Sequence, residues 1–135
     1  MSDYILSCCS TADLIKEHFN ARNISYICFH YFLDNQEYMD DLGESMPFDV
    51  FYDRIAKGAD TRTSQINISE YVDYFTPFLE AGKDVLHVSL SSGLSGTSNS
   101  AMNAARILQE RSWIHNLNSE FSIPNSEFFT SAACA

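Results

Sequence analysis

Positive charge is scarce in this sequence. Its 135 residues carry 8 Lys and Arg against 18 Asp and Glu, a formal net charge of −10. The basic residues are scattered and form no stripe, which argues against gripping a nucleic-acid phosphate backbone. An anionic membrane surface would repel the chain for the same reason. No apolar run approaches the roughly 18 residues of a membrane-spanning helix, so no membrane span is expected. Met1 to Leu6 lacks a basic segment followed by a long apolar stretch, so no secretory signal is expected either. Cysteine is confined to Cys8, Cys9, Cys28 and Cys134, without a C-x-x-C pair or a histidine at zinc-ligand spacing. These cysteines read as small hydrophobes of a reducing cytoplasm. No segment supplies the ligand spacing of a calcium loop, and no internal repeat or low-complexity linker is visible.

What is present is an ordinary globular composition, 45% hydrophobic and 19% charged, enough for one domain with a real core. Tyr4 to Cys9 has the length and apolarity of a strand. Ser10-Thr11-Ala12-Asp13 then suits a helix start, continued by Leu14, Ile15, His18 and Phe19. Ile24 to Leu33 is nearly continuous in apolar residues and reads as a strand covered on both faces. Asp34-Asn35 predicts a hairpin turn into Gln36 to Met39. Phe48, Phe51, Tyr52 and Ile55 share one helical stripe after Ser45 and Pro47, with Gly58 as the stop.

Asn67 and Glu70 stand at capping-box spacing before the stripe Tyr71, Phe75, Phe78 and Leu79, in which Pro77 is a local conflict. Asp84 to Leu90 predicts a strand. Ala101, Ala104, Ala105 and Leu108 predict a helix from Thr97 ending near Glu110. This order predicts an α/β fold over residues 3–110, with a largely parallel β-sheet flanked by helices. Residues 111–135 show no convincing period and read as an atypical C-terminal segment, weakly structured or a mixture of short strand and loop. His18 on a helix face, and His30 and His87 in strands, are expected to be hydrogen-bonded core histidines, with His115 on the surface.

Two hydroxyl-rich segments carry the chemistry. Thr61-Arg62-Thr63-Ser64-Gln65 reads as a loop before the helix capped by Asn67. Ser91-Ser92-Gly93-Leu94-Ser95-Gly96-Thr97 joins a strand to a helix. In an open α/β sheet such loops lie at the carboxyl edge of the strands, where ligands bind. The glycines let backbone N–H groups approach a ligand, and the helix that follows presents the positive end of its dipole. Together they suit a small anion, a carboxylate or a phosphate. Neither a G-x-x-x-x-G-K-[ST] loop nor a G-x-S-x-G elbow is present. Asp40-Asp41 reads as a turn, and Asp49 and Asp53 as a solvated helix face.

Ser10-Thr11-Ala12-Asp13-Leu14, Thr63-Ser64-Gln65 and Leu90-Ser91-Ser92-Gly93-Leu94-Ser95-Gly96-Thr97 resemble the three N-terminal signatures of the DegV family. Order and spacing resemble that family from about Asp3 to Glu110. The resemblance implies a bacterial protein that binds long-chain fatty acids such as palmitate and is not itself an enzyme. It implies a cytoplasmic role in fatty acid metabolism, presentation of the acid to a separate fatty acid kinase, and no cofactor beside the bound acid. It assigns the carboxylate to Thr63 and Ser95, with Ser64, Ser92 and the Gly96 N–H as further contacts. Cys9 stands where the family usually has an aspartate. Family members continue beyond the matching region into a second α/β domain, which this sequence does not contain. The competing readings are a phosphate-binding α/β enzyme domain and a truncated fragment without activity. A missing P-loop lysine and magnesium pair argue against the former.

Overall fold

The computed structural model describes residues 3–118 and 128–133, with side chains described for residues 3–111. A parallel sheet forms the main layer, in the order β2-β1-β6-β7, from β1 (Tyr4–Cys9), β2 (Ser25–Ile27), β6 (Asp84–Leu90) and β7 (Phe128–Ala133). Along β6 every second residue is buried: Val85, His87 and Ser89. That alternation follows from the pleat, which points successive side chains to opposite faces.

The buried face is covered by α3 (Ile68–Glu80) and α4 (Thr97–Asn118). Tyr71, Val72 and Phe75 of α3 are buried, and α4 meets them through Ala101, Ala104 and Leu108. Alanine at these positions lets the two helices approach closely while still removing apolar surface from water. The capping box opening α3 is complete. The Glu70 N–H donates to Asn67 Oδ1 at 3.0 Å, and the Asn67 N–H donates to Glu70 Oε2 at 2.7 Å. Pro77 lies inside α3, in its last turn.

A second, antiparallel sheet of order β4-β3-β5 comprises β3 (His30–Leu33), β4 (Gln36–Met39) and β5 (Thr61–Ser64). The hairpin expected at Asp34-Asn35 is present. Both residues have positive φ, 52° and 65°, as a two-residue turn matched to strand twist requires. Beside this sheet lies α2 (Phe48–Ala56), anchored by the edge of Phe51 against Tyr31, ring centroids 5.3 Å apart.

Several expectations are corrected here. Ile24 to Leu33 is two strands in two sheets, with the crossing at Cys28-Phe29. Both halves are apolar, so hydrophobic pattern alone does not mark the crossing. Thr61 to Ser64 is an edge strand rather than a loop, paired with β3. The first helix, α1 (Lys16–Ala21), starts later than Ser10-Thr11-Ala12-Asp13 suggests. Asp13 turns left-handed at φ 56°, and the Ser10 hydroxyl accepts the Phe29 N–H at 3.0 Å instead of capping a helix. His18 is exposed, 2.8 Å from the Arg22 guanidinium, and not a core residue. The α2 stripe has no buried member, although its spacing predicted a core face. Finally, α4 runs on to Asn118 rather than ending near Glu110. The expectations for His115 and Cys134 fall outside the described side chains.

Candidate functional site

The carboxyl ends of β1 and β6 lead into the two segments Ser10-Thr11-Ala12 and Ser91 to Gly96. Adjacent parallel strands place both at one edge of the sheet. In the second segment the Ser91 carbonyl accepts the N–H groups of Leu94 (2.9 Å) and Ser95 (3.2 Å), and Ser91 Oγ accepts that of Gly93 (3.3 Å). The chain therefore turns tightly on Ser91. Ser95 Oγ accepts the Thr97 N–H at 3.2 Å and donates to Thr97 Oγ1 at 2.9 Å. The Gly96 carbonyl accepts the Ser100 N–H at 3.1 Å, which starts the hydrogen-bond ladder of α4.

Glycine at 96 has a packing reason. A Cβ there would stand 2.5 Å from Oε1 of Gln65. The side chain closing the Thr63-Ser64-Gln65 segment thus lies against the backbone of the Ser95-Gly96 turn, and the two hydroxyl-rich segments meet. Gln65 was quoted in the sequence only as part of Thr63-Ser64-Gln65, with no role of its own. Its signal is the pairing of a long polar side chain with a glycine in a separate motif.

Thr63 is held in register opposite Tyr31. It lines a cavity of about 260 Å³ together with Thr11, His30, Tyr31, Asp40, Phe48 and others. Ser64, Ser92, Ser95 and Gly96 do not line this cavity. Ser64 is half-buried and its hydroxyl donates to the Gln65 carbonyl at 3.5 Å, while Ser92 is exposed. The structure therefore joins the two segments through Gln65 and Gly96, and puts Thr63 alone of the five at the cavity.

His30 fastens this region. Its Nε2 is 2.5 Å from Glu70 Oε1 and its Nδ1 is 3.2 Å from Glu37 Oε1. One carboxylate thus both caps α3 and reaches the small sheet, clamping the segment between β5 and α3. Replacing Glu70 by Ala should cost about 1–2 kcal/mol of stability through the lost cap. Glu70→Gln, which keeps the Asn67 N–H contact, should cost less than half of that. Urea denaturation of both variants separates the cap from the His30 contact.

Beneath the site lies a buried polar network. Ser7 Oγ is 2.9 Å from His87 Nδ1 and 2.8 Å from the Tyr74 hydroxyl. The Cys9 sulfur is 3.3 Å from the Tyr71 hydroxyl and 3.8 Å from His87 Nε2. Burial raises the Cys9 thiol pKa and lowers that of His87 from 6.5 to about 4. Both groups are therefore neutral near pH 7, and the pair lacks the thiolate that a cysteine nucleophile needs. Its geometry serves the core: among the described residues every buried side-chain polar atom has a partner. No cluster of metal-ligating side chains is found among the described residues.

Comparison with known proteins gives the family and the fold. The model of the DegV family, described as uncharacterised protein, matches residues 9–134. A DegV domain-containing protein of Clostridium perfringens is 32% identical over 111 residues, 82% of this chain and 38% of its own length. Among solved structures, a stearic acid-binding protein of Eubacterium ventriosum superposes with a TM-score of 0.76 at 24% identity, over 95% of this chain and 40% of that one. DegV of Bacillus subtilis, a fatty acid binding protein, gives a TM-score of 0.69 at 27% identity, over 79% of this chain and 38% of that one. The chain thus spans about two fifths of the length of these proteins. One family model matched across nearly all of the sequence, on a fold shared with that family's solved members, settles the kinship: the chain belongs to the DegV family.

Proposed function

We propose that this chain binds long-chain fatty acids, with the carboxylate held by Thr63 and Ser95 and with Ser64, Ser92 and the Gly96 N–H as further contacts. The observation that carries the reading is the packing of Gln65 against Gly96, which joins the segments bearing Thr63 and Ser95. It is supported by relatives that bind such acids, the Bacillus subtilis protein and the Eubacterium ventriosum protein. The role is that of a binding protein, presenting the acid to a separate kinase, rather than that of an enzyme. Cytoplasmic residence follows from the reduced state proposed for its cysteines, and no cofactor is invoked beside the bound acid.

Energetics divide the work unevenly. Each hydrogen bond from a hydroxyl to a carboxylate contributes about 1.5–3 kcal/mol, so two give roughly 3–6. Burying ~14 methylenes at ~0.8 kcal/mol apiece would contribute roughly 11 before ordering costs. The hydroxyls orient the head, and the tail supplies most of the affinity. The cavity at Thr63, about 260 Å³, is smaller than the roughly 300–1,000 Å³ of ligand pockets. The chain by itself therefore covers little of a long tail.

Two results follow. Palmitate titrated into the delipidated chain should bind more weakly than micromolar, and tighter binding would show that this chain alone suffices. The double variant Thr63→Ala, Ser95→Ala should weaken what binding there is by roughly a hundredfold or more, with an unchanged circular dichroism spectrum. Equal retention of fatty acid by the variant, followed by native mass spectrometry, would overturn the residue assignment.

A further inference from the structure

The side chain through which the two hydroxyl-rich segments meet has donors of its own to offer. Thr63 and Gln65 are exposed, while Ser64 between them is half-buried and Ile66 is fully buried. This alternation is that of an extended chain, so Thr63 and Gln65 share one side. On that side the Gln65 amide crosses to the Ser95-Gly96 turn. Its Oε1 stands 2.5 Å, and its Nε2 3.3 Å, from the position a Cβ at Gly96 would take. The oxygen thus faces the glycine backbone and the NH2 group stands farther out. Gln65 does not line the cavity at Thr63. It lies between Thr63 and Ser95, where a head group rather than a tail is to be held.

Most donors around this junction are committed to the protein itself. The N–H groups of Gly93, Leu94 and Ser95 all go to Ser91. The Thr97 N–H goes to Ser95 Oγ, and the Ser95 hydroxyl in turn donates to Thr97 Oγ1. Ser95 must therefore release Thr97 before it can donate to a ligand. Gln65 need release nothing. The one side-chain hydrogen bond that reaches it, from the Ser64 hydroxyl, ends on its main-chain carbonyl. Among the described residues the amide NH2 has no acceptor.

An ionised carboxylate accepts through two oxygens with about four lone-pair sites, and two hydroxyls fill only half of them. A primary amide brings two N–H donors and no charge. Packing on Gly96 fixes where those donors sit before a ligand arrives, which lowers the ordering cost of binding. We propose that Gln65 is a third head-group contact, donating through Nε2 to the carboxylate held by Thr63 and Ser95, and that it sets the preference for an anionic head. The inference rests on the fatty-acid reading above and adds to it a residue for which Gly96 is the platform.

The test uses the delipidated intact chain, titrated at constant ionic strength with decanoate and with decylammonium, one tail with heads of opposite charge. Gln65→Met keeps the length of the side chain and removes its donors. It should weaken decanoate about tenfold, with decylammonium binding and the melting temperature unchanged. Gln65→Glu should weaken decanoate further and tighten decylammonium, because the new carboxylate repels one head and attracts the other. A Gln65 that only packs would not move the two heads in opposite directions. Gln36→Glu makes the same charge change at the far end of β4 from Met39 and should alter neither ligand. Decanoate bound equally by Gln65→Met and the unchanged chain, while the Thr63→Ala, Ser95→Ala variant loses it, would overturn the inference and leave the fatty-acid reading standing. An effect of Gln36→Glu as large as that of Gln65→Glu would also overturn the inference, by assigning the change to net charge. Decanoate retained in full by the Thr63→Ala, Ser95→Ala variant would overturn the reading of the head-group site, and this inference with it.

Discussion

Replacing Phe75 by Ala should lower the free energy of unfolding by about 3–5 kcal/mol, the range for deleting a buried aromatic ring. Phe75 is fully buried at the junction of α3 with the parallel sheet. Its ring stacks on Tyr71 (5.4 Å, 29°) and meets the His87 ring edge-on at 5.3 Å. Truncation would leave a void flanked by three aromatic neighbours, Tyr71, Tyr74 and His87. Since small domains hold only about 5–15 kcal/mol in total, this loss removes a large share of the stability and should lower the urea midpoint markedly. Urea denaturation of Phe75→Leu and Phe75→Ala gives the check. The leucine variant should lose less than half as much, and equal losses would mean that the ring contacts rather than the filled volume carry the stability.

Acidification should destabilise the fold through His87. In the unfolded chain this imidazole takes up its proton near 6.5, but in the folded state only near 4, because burial disfavours the charged form. Its contribution is fully present above 6.5 and is lost as the pH falls, because the unfolded state then binds a proton that the native state does not. The loss amounts to about 2 kcal/mol at pH 5 and about 3 kcal/mol at pH 4. Stability measured by urea denaturation across this window should fall with close to one proton of slope from this group. In a His87→Gln variant that component should vanish. An unchanged slope would assign the acid sensitivity to the carboxylates instead.

How far the sequence carried differs from element to element. β6 and α3 were legible because each has one consistent period, and because Asn67 and Glu70 announce the cap with their own chemistry. The parallel sheet flanked by helices followed from element order, but its strand β7 lies in the segment read as atypical. The small antiparallel sheet did not. Its strand β3 is as apolar as β2, so hydrophobicity runs through the crossing at Cys28-Phe29. Its strand β5 consists of Thr61, Arg62, Thr63 and Ser64, polar residues that a sheet tolerates at an edge but that read as a loop in isolation. The extension of α4 beyond Glu110 was missed because the stripe of small residues stops at Leu108.

At the site, the hydroxyl-rich segments were visible from composition, but their meeting was not. It depends on Gln65 reaching across to Gly96, and no spacing rule connects residues from separate elements. The acidic aromatic cavity was visible only as disconnected parts. Asp40-Asp41 resembled a turn, and Phe48, Phe51 and Tyr52 a core stripe. Only folding reveals that the stripe is left open and faces the carboxylates.

The sulfur atoms of β1 have a practical consequence. Cys8 and Cys9 are 8% and 3% exposed, and burial raises both thiols, Cys8 to about 11. An alkylating reagent reacts with thiolate, so shielding and suppressed ionisation protect them together while the strands stay paired. Once β1 separates from β6 both protections end at the same moment. Pulsed iodoacetamide labelling of this neighbouring pair therefore times the opening of the sheet centre, a clock written into the chain itself.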